Sequence, residues 1–374
     1  MMNILVTGGA GFIGSFLVDR LIEEGHRVRI FDNLDTQVHP GGKEPDHLNR
    51  RAEFVRGDVC DCDALAKAIE DIDIVSHHAA AVGVGQSQYQ IKHYVDVNMG
   101  GTANLLDILA NRKHGVKKLV VAASMSSYGE GVYECASCGR VRPPLRLDDQ
   151  FKKGDWECHC PKCGGRLKAL PIREDDERIS TSIYAITKMV QEEMCLNIGR
   201  TYNIPTVALR YFNVYGPRQS LSNPYTGVAA IFLSRIKNDN PPLVFEDGLQ
   251  ARDFISVHDI VEANVLAMTK PEADYQFFNV ASGKVTTVLE IAEIISSLCG
   301  KSIAPAITMK FRKGDVRHCI ADTAKIERAL GFKAKVDFRD GMKELIEWSA
   351  GVKAVDMVDK ATEELKARGL VPKG

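Results

Sequence analysis

Thr7-Gly8-Gly9-Ala10-Gly11-Phe12-Ile13-Gly14 decides the fold of this 374-residue chain. The stretch follows an apolar run, Asn3 to Thr7, and leads into helical spacing from Ser15 to Glu24, so it reads as strand, glycine turn and helix. Glycine at 8, 11 and 14 suits a backbone that turns sharply, approaches a pyrophosphate and packs helix on strand, while the helix N-terminus favours phosphate charge. Outward from it, Arg27 to Phe31, Glu53 to Val55, Ile74 to His77 and Lys118 to Ala122 are short, nearly continuous apolar runs. Cys62 to Ala68 and Val97 to Asn111 carry apolar residues at helical spacing between them. Such alternation predicts an α/β chain with a doubly wound parallel sheet of the Rossmann type.

From about Pro217 the rhythm changes to loops, helices and short strands, among them Asp253 to Val257 and Phe277 to Val280. The expected division is 1-130 and 171-215 for a dinucleotide-binding domain, 131-170 for an insertion, 216-350 for a smaller α/β substrate lobe with some exchange of segments, and 351-374 for a charged, solvated helical tail. Hydrophobic residues make up 45% and charged residues 26%, which excludes a disordered or collagen-like chain. With 48 Lys plus Arg against 49 Asp plus Glu, the net charge of -1 offers no field to a polyanion, so nucleic acid is not an expected partner. No stretch approaches the roughly 18 uncharged apolar residues of a membrane span, and the first residues run straight into a strand; a cytoplasmic protein is expected.

Asp32 ends the second apolar run, where an acid would take the adenosine ribose hydroxyls and repel a 2′-phosphate; this favours NAD over NADP. Asn33 follows it, and Asp58 stands after the third run near where adenine would lie. Tyr184 and Lys188 are one helical turn apart and share a face. A phenol titrates near pH 10, so it acts as a base at neutral pH only when positive charge lowers its pKa; Lys188 and an oxidised nicotinamide would supply that charge.

TGGAGFIG, Ser124-Met125-Ser126-Ser127-Tyr128-Gly129, Tyr184-Ala185-Ile186-Thr187-Lys188 and Arg210-Tyr211-Phe212-Asn213-Val214-Tyr215-Gly216-Pro217-Arg218 together resemble the extended short-chain dehydrogenase/reductase superfamily, and within it the nucleotide-sugar epimerases. The resemblance covers nearly the whole chain outside residues 131 to 170. It implies a catalytic triad of Ser124, Tyr184 and Lys188, in which Tyr184 takes a proton from a sugar hydroxyl as hydride leaves the same carbon. It implies NAD contacts at Gly8, Gly11, Phe12, Ile13, Gly14, Asp32, Asn33, Asp58, Val59, Ala79, Ala80, Ala81 and Asn98, besides Tyr184 and Lys188. Related 4,6-dehydratases carry Asp-Glu after the triad Ser/Thr, and related decarboxylases a Glu at the second position; here Met125 and Ser126 stand there, leaving epimerisation at C4.

A nucleoside diphosphate needs guanidinium forks and amide donors. By resemblance Asn213, Arg252 and Arg312 contact the diphosphate and Asp315 the ribose. Val84, Gln86 and Ser87 in VGVGQS, Ser124, Ser126, and Tyr225 and Val228 in NPYTGV line the sugar pocket, whose small, partly apolar character suits a deoxysugar. The helices Val97 to Asn111 and Ile183 to Tyr202 would, again by resemblance, pair across a two-fold axis in a homodimer.

Five of the ten cysteines fall between Cys135 and Cys163. Cys135-Ala136-Ser137-Cys138-Gly139 and Cys160-Pro161-Lys162-Cys163-Gly164 form two knuckles about twenty residues apart, the spacing of a closed S4 zinc site. A structural zinc ribbon is expected, with Cys158 a spare or alternative ligand. Its place between two catalytic segments suggests a cap over the mouth of the site or a determinant of sugar selection, with a remote appendage the alternative. With this insertion the chain looks most similar to a group of dTDP-L-rhamnose 4-epimerases and UDP-glucose 4-epimerases. His77 and His78 read as satisfied core or loop residues. Two other classes stay open on the sequence: an oxidoreductase that releases reduced cofactor, and a non-catalytic NAD-binding or ribbon adaptor.

Overall fold

Continuous apolar runs become buried parallel strands. The computed structural model describes residues 1–312 and 314–371, and its central sheet comprises β1 (Asn3–Thr7), β2 (Arg27–Asp32), β3 (Glu53–Arg56), β4 (Ile74–His77), β5 (Lys118–Ser124), β6 (Thr206–Tyr211) and β7 (Phe277–Val280). All pairs are parallel, in the spatial order β7-β6-β5-β4-β1-β2-β3. Every residue of β5 and of β6 is buried, as a strand covered on both faces requires.

Helices cover the two faces. α1 (Phe12–Glu23) buries Leu17, Val18 and Leu21 together with Ile260, Val265 and Met268 of α5 (Val257–Thr269). On the other face α2 (Cys62–Ile69), α3 (Gly101–Asn111) and α4 (Ile183–Thr201) contribute Leu65, Ile69, Leu105, Leu109, Cys195 and Leu196. Strand order reverses between β1 and β4, and the carboxyl ends on either side of that switch open the crevice where doubly wound proteins bind ligands.

Three expectations need correction. Phe277–Val280, expected in the smaller lobe, is the outer strand of the main sheet, with Phe277 opposite Ala208 and Val280 opposite Tyr211. The helix expected over Val97 to Asn111 is preceded and begun by a π-helical stretch, Val95–Gly100, with α3 following. The tail helix, Val358–Ala367, is not solvated all round: Val358, Ala361 and Leu365 are buried against the body of the protein.

The smaller lobe packs the helices Val228–Lys237, Val288–Leu298 and Phe338–Ser349 around Phe232, Leu233, Ile291, Ile295, Met342 and Leu345. Residues 131–170 make a three-stranded antiparallel sheet in which Val132–Cys135 lies between Gly139–Val141 and Leu167–Leu170.

Candidate active site

The glycine turn sits at the switch point. Gly8 has φ +70°, and a Cβ on it would lie 2.8 Å from the Ala79 nitrogen; a Cβ on Gly14 would collide with the Gly8 carbonyl oxygen. Only glycine permits this approach. No side chain caps α1, so the amides of its first turn, at Phe12, Ile13 and Gly14, face a ligand rather than a capping group. Asp32, at the end of β2, accepts from the Ala10 amide at 3.1 Å and the Leu34 amide at 2.9 Å, which fixes its carboxylate beside the turn. Asn33 donates to Asp58 at 2.9 Å. Burial works against the Asp58 carboxylate, but the Cys60 amide and Asn33 outweigh it and hold its pKa below the ordinary range. A cradle that excludes side chains, free helix-start amides and an acid one strand away fit a dinucleotide.

Not every expected contact faces that cradle. Val59 is buried in the core, and its carbonyl accepts from Asn104 at 2.9 Å. Asn98 is fully buried, with its amide side chain spent on the Ala81 backbone (2.8 and 3.1 Å) and on Thr187 (3.0 Å). It pins the partly buried segment Ala79-Ala80-Ala81 to α4, a positioning task for which the π-helical stretch turns it inward.

Beneath the crevice a buried chain of hydrogen bonds joins β1 to α4. Thr102 donates its single hydroxyl proton to the Asn98 carbonyl at 2.6 Å, so towards His77 Nε2, 3.1 Å away, it acts as acceptor. His77 Nδ1 then accepts from the Thr7 hydroxyl at 2.8 Å, and Thr7 in turn accepts the His78 and Ala79 amides, both at 3.2 Å. Burial pushes the pKa of His77 down to about 3, as it does for His78, so both imidazoles are neutral. Gln191, fully buried, donates to Thr102 at 2.7 Å and accepts from the Lys188 ammonium. Neither Gln191 nor Thr102 stands out in the sequence; the one available signal is an amide one turn after Lys188 on the same face.

Ser124 ends β5 and accepts from both the Ser126 amide (3.2 Å) and the Ser126 hydroxyl (2.9 Å), which leaves its own proton for Tyr184. Burial raises the Tyr184 pKa and the hydrogen bond from Ser124 opposes the rise. Burial also brings Lys188 down to about 8. The Lys188 ammonium donates to Gln191. Ser182 caps α4 through the Ala185 amide at 3.1 Å. Glu192 forks onto Arg210 of β6 at 2.9 and 2.6 Å, and Arg210 reaches the Tyr128 hydroxyl at 2.6 Å, so the helix and the Ser124 turn are locked to the sheet.

On the sugar side, Ser87 is fully buried and engaged: it donates to the Val84 carbonyl at 2.7 Å and accepts the Tyr184 amide at 3.0 Å. It positions α4 rather than presenting a free hydroxyl. Gln86 pairs with Gln37 (2.8 and 3.1 Å) and accepts from Tyr94 at 2.9 Å; the Tyr94 ring stands edge-on to Tyr184 at 6.4 Å. Val84 is exposed, whereas Val228 packs on the lobe core and is a wall residue at most through its backbone. The hydroxyls of Tyr225 and Tyr89 lie 2.7 Å apart, and each is within 3.2 Å of Glu364 on the tail helix.

On the nucleotide side, Asn213 donates to the Asp253 carbonyl at 2.9 Å. Arg252 donates to the Val316 and Arg317 carbonyls at 2.6 and 2.9 Å, so it carries the loop of Arg312 and Asp315. Arg312 stacks on Phe245 at 4.1 Å, and its Nε is buried with no acceptor among the described residues. An unpaired buried guanidinium nitrogen is costly unless an anion completes it.

In the insertion, the Sγ atoms of Cys135, Cys138, Cys160 and Cys163 all lie within 4.8 Å of one another, and Cys135 and Cys163 are 3.5 Å apart. A tetrahedral S4 site with metal–sulfur bonds of about 2.3 Å sets sulfurs about 3.8 Å apart, so the donors fit zinc. Gly139 and Gly164, which close the knuckles, both have φ +72°. Cys158 lies apart from the four, with its thiol 3.5 Å from the Tyr133 hydroxyl; it is no ligand in this arrangement.

Comparison with known proteins agrees with this geometry. A model described as the NAD dependent epimerase/dehydratase family matches residues 4–141, and one described as GDP-mannose 4,6 dehydratase matches residues 163–345. The dTDP-L-rhamnose 4-epimerase of Burkholderia thailandensis is 35% identical over 93% of this chain and 95% of its own. The chain belongs to the NAD-dependent epimerase/dehydratase family. Within this family the putative UDP-glucose 4-epimerase of Methanocaldococcus jannaschii is also 35% identical, over 92% of this chain and 97% of its own. The crystal structure of UDP-glucose 4-epimerase from Thermotoga maritima with UDP-glucose has a TM-score of 0.75 and 32% identity, covering 93% of this chain and 99% of that one. The match to the dehydratase description begins after Met125 and Ser126.

Proposed function

We propose that the chain inverts nucleotide sugars at C4 with a retained NAD. NAD, held by the glycine turn, the first amides of α1 and Asp32, would supply reversible hydride acceptance. Tyr184 Oη removes the C4 hydroxyl proton, Ser124 donates to that oxygen as charge develops, and Lys188 would hold the nicotinamide ribose and stabilise the phenolate. The 4-keto sugar then turns over and is reduced on its other face, with Tyr184 giving the proton back. The single observation that carries the reading is the placement of Ser124 at the end of β5 against α4, whose first turns carry Tyr184 and Lys188 one turn apart, at the switch point beside the glycine cradle. Tyr184→Phe should retain NAD at wild-type stoichiometry and lose about 10³-fold in turnover; near-normal turnover would remove Tyr184 from the mechanism.

The small, apolar VGVG segment and the relationship to the Burkholderia protein favour dTDP-L-rhamnose, with UDP-glucose the competitor. Side-by-side assays of the two sugars decide between them. Arg312, with its open Nε, and Arg252 are assigned to the diphosphate and Asp315 to the ribose. We further infer a structural zinc ion on Cys135, Cys138, Cys160 and Cys163, whose closed coordination leaves no position for substrate. A homodimer through α3 and α4 is supported by the outward groove that Ala103, Leu106, Ala110, Met194 and Ile198 line between them. No helix among the described residues is long and apolar enough to cross a membrane.

A further inference from the structure

The insertion's firmest contacts run to the nucleotide side of the crevice. Arg146, with a side chain 1% exposed, forks onto Glu246 at 2.8 and 3.0 Å and also donates to the Asp315 carbonyl at 3.0 Å. Arg317, 0% exposed, forks onto Asp247 at 2.7 and 2.9 Å and reaches Glu157 of the insertion at 2.6 Å. Phe151 of the insertion stacks on Phe311 at 4.3 Å, with Trp156 completing the cluster. Just ahead of the insertion, Glu130 accepts the Arg317 amide at 2.6 Å and is itself held by Tyr133 of the insertion at 2.7 Å.

Among the described residues of this loop, the insertion thus holds the Phe311 ring, the Asp315 carbonyl and the Arg317 guanidinium, on either side of Arg312. A buried ion cluster adds little stability over an apolar core of the same volume. What it supplies is a fixed position, because guanidinium forks are directional. Arg142 of the insertion also donates to the Tyr128 and Glu177 carbonyls beside the Ser124 turn, but none of these contacts reaches Ser124 or Tyr184 itself.

We propose that the cysteine-bearing insertion is a brace for the diphosphate loop: Arg146, Phe151 and Glu157 set the position from which Arg312 and Asp315 meet a nucleoside diphosphate. The insertion thus governs nucleotide affinity and leaves the chemistry at C4 alone. This rests on the nucleotide-sugar reading above, and the two fail differently. Calorimetric titration of the full-length, NAD-loaded protein with UDP and with dTDP tests both. Phe151→Leu, which trims the stacking without stranding a charge, should weaken nucleotide binding about tenfold. KM for the sugar nucleotide should rise in parallel while kcat and NAD content stay within about twofold. Arg146→Met should act in the same direction, and Phe151→Leu keeps the test open if loss of the Glu246 partner prevents folding. Wild-type affinity in folded Phe151→Leu, or a fall in kcat at constant KM, overturns the brace. Wild-type protein that binds neither UDP nor dTDP overturns the nucleotide-sugar reading, and the brace with it.

Discussion

Lys188 is buried, and its pKa is brought down to about 8 from an ordinary 10.5. Because the folded state holds this proton less tightly than the unfolded chain, the charged lysine costs folding free energy on the order of 3 kcal/mol below pH 8. That cost fades as pH rises from about 8 towards 10.5, where the unfolded chain also loses the proton. Lys188→Met should accordingly melt higher than wild type at pH 7 in NAD-free protein, with a gap that narrows as pH climbs past 8. Melting curves across that range check it, and a gap independent of pH would contradict it. Ser124, Tyr184 and Lys188 were readable because their spacing is tied to a strand end and one helix turn. Gln191 and Thr102 were not: their importance lies in where two hydrogen bonds run in a buried space, and spacing carries no mark of that. Ser87 and Asn98 show the converse, since residues that look like ligand contacts are spent on holding α4 and the Ala79–Ala81 segment.

At the scale of elements, strands β1 to β5 could be placed from their apolar runs alone, whereas β7 could not be assigned to its sheet. A four-residue run, Phe277–Val280, carries no record of its partner, and only the parallel register with β6 assigns it. The tail helix was misread for a different reason. Its charges dominate the composition, yet Val358, Ala361 and Leu365 form a narrow apolar stripe that is enough to dock it. The knuckles, by contrast, were fully legible, because two thiolates from each turn are a local pattern. The ribbon's own core is small, essentially Tyr133, Cys135, Val141, Cys158 and Cys160, so it lacks the apolar area to hold itself together. Elemental analysis should find one zinc per chain. Chelation should unfold residues 131–170 before the rest, seen as protease cleavage confined to that segment; a ribbon equally resistant without metal would refute the structural role.

The whole molecule puts cofactor cradle, proton-transfer pair and diphosphate loop around one crevice, with the two lobes contributing different parts of one substrate site. Oxidation and reduction at the same crevice make a specific label pattern. A UDP- or dTDP-sugar deuterated at C4 should emerge inverted with its deuterium retained, and no free NADH should accumulate during turnover. Washout of the label, or NADH rising in step with product, would point to an oxidoreductase instead. The doubly wound architecture follows from the order of apolar runs and the glycine turn, so the sequence suffices for the location of the crevice. Its outer walls do not follow in that way, because they come from segments more than a hundred residues apart. Tyr89, Tyr225 and Glu364 make one such wall. Where an affinity handle is fused is therefore not neutral for this protein. Fused to the tail helix, Val358–Ala367, it would pull on the element that backs the sugar side and pass for an intrinsic substrate preference. At Met1, which is 85% exposed just ahead of β1 and so at the opposite end of the sheet from the crevice, the same handle leaves that wall alone.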